Sequence, residues 1–543
     1  MEVAAFIIGT SGLISVAQTC LQVARAIDGV KTFREESASL YAEYSFEQVR
    51  LTLWISHVLG VTYSPLAIET LQLGDEQLPS MLTLVEKYGA TTGTGATASA
   101  TDKDVSFVRR AMFQTKIYKD GGADEIQKLL VRFKDWNDRL DGIVESRMRH
   151  HLVSNMHVRL LSSAVTDQQL EVIQHAAQGP HPTLSEEAAF RRGLLSIEQR
   201  PGGRVSNLRV RPGDISPNSP PVNNGWNLRK MGIIKSNPAV RVLQEWKLGQ
   251  PNWGQDEIST VVSRADRLAS MLCLENKPSR LRCLDLVAYA ISDGGEGERT
   301  RIEFCFLYRP PPFANSASDP LTLQAALMLS ERRRPTLPQR FNMATMLAES
   351  VLEFHVSQWL HKAVCSSNVL FFSNNQTDQP DFSAPFMAGF EFSRPDTVKD
   401  MTLETCSSVD FDVYCHPELI RVLTEEGASG RPRHQRQYDI YGLGVVLLEI
   451  GCWLPLKPIL ESRKARGRTR HEELLLVCTT LLPSRMGTKY KDAVYACLTW
   501  PPDDEKTGSA TAVSGDAGSC RRSQIEEFAY TVANVLSECH CLL

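Results

Sequence analysis

Apolar residues recur with helical spacing at two places in the first third of the chain, within residues 40–58 and within residues 126–143. Apolar side chains three or four positions apart fall on one face of a helix and form a core-facing stripe. The stripes contain Leu40, Tyr44, Leu51, Ile55 and Val58, and then Ile126, Leu129, Leu130, Phe133, Trp136, Leu140 and Ile143. Between them, residues 89–104 are rich in Gly, Thr, Ala and Ser, which favours a flexible loop. Residues 1–178 are therefore predicted to form an antiparallel helical bundle.

The chain begins with an uncharged segment, Val3 to Ala24, that permits two interpretations. A helix of this length reaches across roughly 30 Å, the thickness of the hydrocarbon layer of a membrane. Small and polar residues dilute its apolar character, and Glu2 stands where a secretory signal would carry a basic residue. The segment is either a buried helix of the bundle or an element that enters a membrane after release, and both can hold at different times.

Prolines and glycines mark a change of composition after residue 178. They predict a linker at residues 179–225, with one short helix at Leu184 to Gln199. From Trp226 onward, strands and helices follow one another. The pattern predicts strands at 240–248, 284–291 and 302–308, and a helix at 258–274.

A helical stripe from Phe341 to Phe354 leads into the segment His361 to Leu370, which runs directly into an apolar stretch at 369–372. This order predicts a loop that joins a helix to a strand. The loop resembles the catalytic loop of protein kinases, whose pattern is His-Arg-Asp-Leu-x-x-x-Asn. His361, Lys362 and Asn368 match the His, the basic residue and the metal-binding Asn. Ala363 stands where the Asp should accept the substrate proton, and a methyl group cannot act as a general base.

Three later segments resemble kinase segments in the same order. Gly389 replaces the magnesium-binding Asp of the Asp-Phe-Gly segment, whereas Phe390 keeps its packing aromatic. Residues Tyr414 to Glu418 resemble the end of an activation segment, and residues Tyr438 to Ile450 resemble the buried helix of the large lobe. The resemblance implies a two-lobed α+β kinase-like domain at residues 226–543, with a small lobe at about 226–309 and a large lobe at about 310–543.

The sequence argues against nucleotide chemistry in this domain. No glycine-rich loop precedes the first strand, so the backbone cradle for nucleotide phosphates is missing. Lys247 could take the place of the kinase strand lysine, although a lone Lys after Trp246 is more often solvated. We therefore expect a pseudokinase with no cofactor, no metal ion and no phosphoryl transfer. An active kinase with unusual catalytic residues is the weaker interpretation.

The start of the chain resembles the HeLo domain, of the prion-inhibition and propagation type, of fungal cell-death and incompatibility proteins. The segments Ala4 to Leu13, Cys20 to Val23 and Phe133 to Leu140 carry the resemblance. It implies a membrane-active first helix and assigns membrane insertion to Phe6, Ile7, Ile8, Leu13, Ile14 and Val16. Together the two resemblances imply a multidomain chain, in which an all-α helical bundle precedes the α+β kinase-like domain.

Charge and cysteine content narrow the choice of partners and compartment. A net charge of −4 over 543 residues gives no cationic field, which argues against nucleic-acid binding. Thirteen Cys residues without paired spacing predict reduced thiols and a cytoplasmic protein. The basic run Arg463 to Arg470 could contact anionic lipid or a nuclear import receptor, although a solvated loop is the commoner explanation.

Two functions from different classes remain open. The first is a cell-death or incompatibility-type signalling effector, whose membrane-active helix is regulated by the inactive kinase-like domain. It predicts membrane association on activation and self-association through the bundle. The second is a soluble signalling scaffold or adaptor whose bundle binds protein partners. The sequence does not choose between them, because one apolar helix serves equally as a core element and as an inserting element.

Overall fold

The structure, a computed structural model, describes most of the chain from residue 146 onward. The described ranges are 146–179, 181–199, 207–217, 229–248, 255–293, 302–315, 318–329, 333–375, 379–390, 393–395, 412–424, 434–463, 468–500 and 523–541, together with Glu47, Arg50, Val131, Lys134, Asp135 and Asp138. The predicted membrane-active segment Val3 to Ala24 and the loop at 89–104 lie outside these ranges. All residues of the two predicted bundle stripes lie outside them as well.

The chain divides into two compact units, Met1–Ala188 and Ala189–Leu543. Three helices are described at the end of the first unit and across the boundary: α1 Ser146–Ser163, α2 Asp167–Ala177 and α3 Pro182–Gln199. A capping box begins α2, in which the Thr166 hydroxyl accepts from Gln169 N at 3.2 Å and the Gln169 side chain accepts from Thr166 N at 3.1 Å. This reciprocal pair satisfies backbone donors that have no partner within the first turn of a helix.

The second unit contains an antiparallel five-stranded sheet with the spatial order β1-β2-β3-β5-β4. Its elements are β1 Ile215–Ser216, β2 Arg229–Ile234, β3 Asn237–Leu248, α4 Gln255–Leu272, β4 Asp285–Asp293 and β5 Ile302–Arg309. Alternate residues of a strand point to opposite faces. Val242 and Trp246 of β3 therefore lie in the apolar cluster that also contains Leu307. On the other face lies Glu245, which is 5% exposed.

The predicted strands and helix of this region are found, with ends shifted by a few residues. Residues 240–248 lie within β3, 284–291 overlap β4, and 302–308 lie within β5. The predicted helix at 258–274 is α4, which begins and ends slightly earlier. The helix predicted at Leu184 to Gln199 is α3, which begins at Pro182 and is longer than a short linker helix.

Short strands and helices make up the rest of the second unit. β6 Leu321–Thr322, β8 Val369–Phe371 and β9 Phe386–Met387 form one small sheet, and β7 Trp359–Leu360 pairs with β10 Arg394–Pro395. The helices are α5 Leu323–Ala326, α6 Leu337–Val356, α7 Pro417–Thr424, α8 Arg436–Cys452, α9 Leu456–Arg463, α10 Arg470–Leu498, α11 Gln524–Phe528 and α12 Asn534–Cys541. A helix that is apolar on all sides is stable only where it is surrounded by protein. Consistent with this rule, α8 is buried from Gln437 to Cys452.

Within the described ranges, no helix combines the length and the apolar character needed to cross a membrane.

Candidate functional site

The loop that was predicted to join a helix to a strand instead joins two short strands, because β7 lies between α6 and His361 and β8 begins at Val369. Helix α8 holds the backbone of this loop. Asp439 of α8 accepts hydrogen bonds from the backbone N–H groups of His361 and Lys362, both at 2.8 Å. Lys362 has a φ of 68°, in the left-handed region that non-glycine residues seldom occupy. A buried carboxylate that accepts hydrogen bonds from two N–H groups offsets the energetic cost of such a conformation. Helix α8 therefore fixes the backbone conformation of the loop.

Two histidines complete the surroundings of Asp439. His434 Nε2 lies 3.0 Å from Asp439 Oδ1, and His355 Nε2 lies 3.5 Å from Asp439 Oδ2. Burial by itself would raise the pKa of Asp439, but the hydrogen bonds and charges of His355 and His434 outweigh it and hold the pKa well below its usual range. Asp439 is therefore a carboxylate throughout the physiological pH range.

His361 acts as a packing residue in this loop. Its ring lies between aromatic neighbours, with centroid distances of 5.6 Å to Phe354 and 5.0 Å to Phe390. Burial lowers the pKa of His361 to about 4, despite the nearby carboxylate of Asp439. Its neutral ring accepts a hydrogen bond from Ala363 N through Nδ1 at 3.2 Å. The imidazole is thus neutral at pH 7 and maintains the loop conformation.

Asn368 uses both ends of its side-chain amide within the protein. Its Nδ2 donates to Ala363 O at 2.8 Å, and its Oδ1 accepts from Arg229 Nη2 at 2.7 Å. The side chain that would hold a metal ion in a kinase is here bonded to the loop on one side and to a guanidinium on the other. Ala363 is 2% exposed and offers only its carbonyl to this arrangement.

Gly389 is required by its contact with Asn368. Its φ is +79°, and a Cβ added at this position would lie under 3.0 Å from the nitrogen, carbon and oxygen of the Asn368 amide. Every other residue type therefore meets both backbone strain and a steric clash here. The Gly389 N–H donates to Glu245 Oε1 at 3.1 Å, and Phe390 packs on Phe354 with a centroid distance of 5.5 Å.

Arg229 and Glu245 form the charged centre of the site, and sequence reasoning missed both. They stand opposite each other in the register of β2 and β3. Arg229 Nε donates to Glu245 Oε1 at 2.6 Å, and Tyr308 of β5 donates to Glu245 Oε2 at 3.0 Å. Arg229 Nη1 also donates to Ser367 O at 2.8 Å. The sequence carries no clear signal for Glu245, because β3 also contains Arg241, Gln244 and Lys247.

Lys247 lies two residues beyond Glu245 on β3, where it is partly exposed and stands opposite Phe304 of β5. The charges that lie against Asn368 and Gly389 are those of Arg229 and Glu245. The six residues to which membrane insertion was assigned, Phe6, Ile7, Ile8, Leu13, Ile14 and Val16, lie outside the described ranges.

No protein-family model matches this chain, and no curated protein is significantly similar to it. Among the residues that the structure describes, no group of three or more His, Cys, Asp or Glu side chains is placed to hold a metal ion. A buried guanidinium, a buried carboxylate and an amide that is hydrogen-bonded at both ends can hold chain segments together.

A second buried acid connects α8 to the same loop. Tyr414 donates to Glu449 Oε2 at 2.9 Å, and the hydroxyls of Tyr414 and Ser366 lie 2.6 Å apart. Leu456 N donates to Glu449 Oε1 at 3.3 Å. Burial raises the pKa of Glu449 to about 7, although the bonds from Leu456 and Tyr414 oppose the rise.

The variant Glu449→Gln should change how stability depends on pH. Because the pKa of Glu449 is about 7 in the fold and 4.5 in its absence, the folded chain keeps a proton that the unfolded chain releases. Stability of the wild type therefore falls as pH rises from about 4.5 to 7, by about 3 kcal/mol for this group. Gln does not titrate. The free energy of unfolding of the variant, measured in urea relative to that of the wild type, should therefore increase as the pH rises from 5 to 8.

Glu472→Gln is the exposed control for this experiment. Hydrogen bonds with Thr469 lower the pKa of Glu472, so its replacement cannot produce an effect of the same sign. Parallel stability curves for the wild type and Glu449→Gln would contradict the raised pKa.

Proposed function

We propose that residues 226–543 form a kinase-like regulatory domain that binds or restrains other segments and does not transfer phosphate. The proposal is supported by the order of the elements: an antiparallel sheet with α4 between its third and fourth strands, then a mainly helical part with a fully buried helix. It is also supported by the loop His361 to Leu370, which Asp439 of that helix holds in place.

The single observation that carries the proposal is that both polar atoms of the Asn368 side chain are hydrogen-bonded within the protein. In phosphoryl transfer, metal ions neutralise the charge on the phosphates, and a kinase loop presents this Asn to one of them. Here the Oδ1 of Asn368 accepts from Arg229, and its Nδ2 donates to the carbonyl of Ala363. A metal ion would have to displace the guanidinium, and the residue before Asn368 already gives its carbonyl to Arg229 as well.

The charge distribution also opposes nucleotide binding. A kinase presents a lysine from this region of the sheet to the phosphates of ATP. In this chain, the β3 residue that contacts Gly389 N–H is Glu245, a carboxylate. A carboxylate repels phosphate groups, and Arg229, which compensates its charge, already donates to Glu245, Ser367 and Asn368.

Thermal unfolding with and without Mg-ATP tests this proposal. A ligand present at 100 times its dissociation constant stabilises a protein by about 2.7 kcal/mol, and we expect no such shift. Transfer of radiolabelled phosphate to generic substrates should equally stay at background. A magnesium-dependent shift or phosphate incorporation that disappears in Asn368→Ala, or in the strand variant Lys247→Met, would contradict the proposal.

For the first unit, the resemblance to HeLo domains supports the role of a membrane-acting effector restrained by the kinase-like domain. The alternative is a scaffold whose bundle binds protein partners. The full chain should release dye from liposomes when mild denaturant loosens the bundle. Ile14→Asp should prevent release, because Asp at the centre of a spanning helix costs about 2.5–3.5 kcal/mol. Ile14→Leu is the control that keeps the apolar character.

Absence of dye release by the wild type, or equal release by Ile14→Asp, would favour the scaffold. Circular dichroism of each variant shows whether its helical content is unchanged, so that loss of release can be assigned to the charge.

A further inference from the structure

Hydrogen bonds join strands β2 and β3 to the loop His361 to Leu370 and to Gly389 at one charged centre. Arg229 Nη1 donates to Ser367 O at 2.8 Å, Arg229 Nη2 donates to Asn368 Oδ1 at 2.7 Å, and Gly389 N donates to Glu245 Oε1 at 3.1 Å. We call these five residues, Arg229, Glu245, Ser367, Asn368 and Gly389, the latch. Their positions in the chain are far apart, so the latch forms only when the β2–β3 hairpin lies against the loop.

The two charges of the latch belong to the same hairpin. Arg229 and Glu245 stand opposite each other on β2 and β3, and their side chains are 5% and 6% exposed. The pair is neutral overall, and Tyr308 of β5 holds the second carboxylate oxygen from the same sheet. If the two side chains move away from the loop, the pair stays intact and becomes hydrated. Neither charge is then left buried without its partner, which is the costly outcome for an ion pair.

The loop side of the latch is held independently of the hairpin. Asn368 keeps its bond to Ala363 O, and Ala388 N donates to Asn368 O at 2.9 Å. Asp439 accepts hydrogen bonds from the backbone at the start of the loop. Both sides are therefore internally bonded. The hairpin is also held by the bond from Met231 N to Asp319 Oδ1 at 2.7 Å and by the pairing of β3 with β5, so the three latch bonds can break as a local separation while these contacts stay in place.

We propose that the latch has two states, a closed state as in this structure and an open state in which the side chains of Arg229 and Glu245 have moved off the loop and these three bonds are broken. In the open state the Asn368 amide and the Gly389 N–H face solvent. The Arg229–Glu245 pair remains on the sheet. The latch thus controls access to the surface between the sheet and the loop, and this inference does not depend on the kinase-like interpretation.

Native-state hydrogen exchange of the full chain tests the latch. In the wild type, the Gly389 N–H should exchange through a local opening whose rate depends only weakly on urea, because little surface is exposed. The amides of the buried helix α8 should exchange only through global unfolding, with a strong dependence on urea. Equal urea dependence for Gly389 and α8 would overturn the proposal, since the latch would then have no open state of its own.

Arg229→Lys provides the matched variant. A lysine keeps a cation beside Glu245 but lacks the planar fork that reaches Ser367 O and Asn368 Oδ1 together. The exchange rate at Gly389 should rise about 10- to 100-fold, since two of the three bonds are lost, while exchange in α8 changes much less. Lys247→Arg, on the same strand but outside the latch, should leave the Gly389 rate unchanged.

Asn368→Ala serves as the second variant if Arg229→Lys does not fold, because it removes one latch acceptor and leaves the ion pair intact. Selective acceleration at Gly389 supports the two-state latch. An unchanged Gly389 rate, or equal acceleration at Gly389 and throughout α8, would overturn it.

Discussion

Gly389→Ala is expected to destabilise the folded chain by roughly 2–5 kcal/mol, because a Cβ adds left-handed backbone strain and a clash in a closely packed site. The φ of Gly389 is +79°, and the added atom would lie under 3.0 Å from the amide of Asn368. The clash cannot be relieved by a simple rotation of Asn368, whose two polar atoms are bonded to Ala363 and Arg229. Urea unfolding at neutral pH measures the loss.

Gly487→Ala is the matched control for this prediction. Gly487 has a φ of +82° inside α10, and an added Cβ would meet nothing within 4 Å. The clash is absent, so only the backbone strain of a conformation that non-glycine residues seldom adopt remains, and we expect a loss of about 1–3 kcal/mol. Equal losses for the two variants would show that the contact with Asn368 does not matter.

The same geometry predicts the outcome of placing an Asp at both positions where the chain departs from the kinase pattern. In Ala363→Asp combined with Gly389→Asp, the Asp at 389 has no room beside Asn368, so we expect an unstable chain without phosphoryl transfer.

Asp439→Ala is expected to produce the second large effect, a loss of about 3–5 kcal/mol of folding free energy. It removes the carboxylate that accepts from the buried N–H groups of His361 and Lys362 and that contacts His434. Urea unfolding near pH 7 measures this loss. Asp381→Ala is the control, since Asp381 accepts from Ser383 N at 2.9 Å near the surface and its loss should cost about 1 kcal/mol.

The loss from Asp439→Ala should depend on pH in a defined direction. The pKa of Asp439 lies below the value of 3.8 that it has outside the fold, so its contribution is present above about pH 4 and is lost as the pH falls further. The difference between variant and wild type should therefore shrink as the pH falls below about 4. A difference that stays unchanged down to pH 2 would contradict the lowered pKa of Asp439.

Sequence patterns alone predicted those elements that local periodicity determines. The strands and helix from Val240 to Tyr308 and the loop from His361 to Leu370 follow from apolar spacing, because spacing reports which side of an element faces the core. The departure of Ala363 and Gly389 from the kinase pattern was also visible in the sequence. It showed which groups are missing, without showing what replaces them.

Only the tertiary structure shows which side chains contact Asn368 and Gly389. Arg229, Glu245 and Asn368 are brought together by strand register and by the approach of the sheet to the loop, and neither is encoded in local spacing. The sequence therefore pointed to Lys247, whereas the charges that lie against the loop belong to Arg229 and Glu245, because a shift of two residues along a strand keeps the same face. Periodicity shows only which face of the strand a residue occupies. Long-range packing decides which residue on that face lies against Asn368.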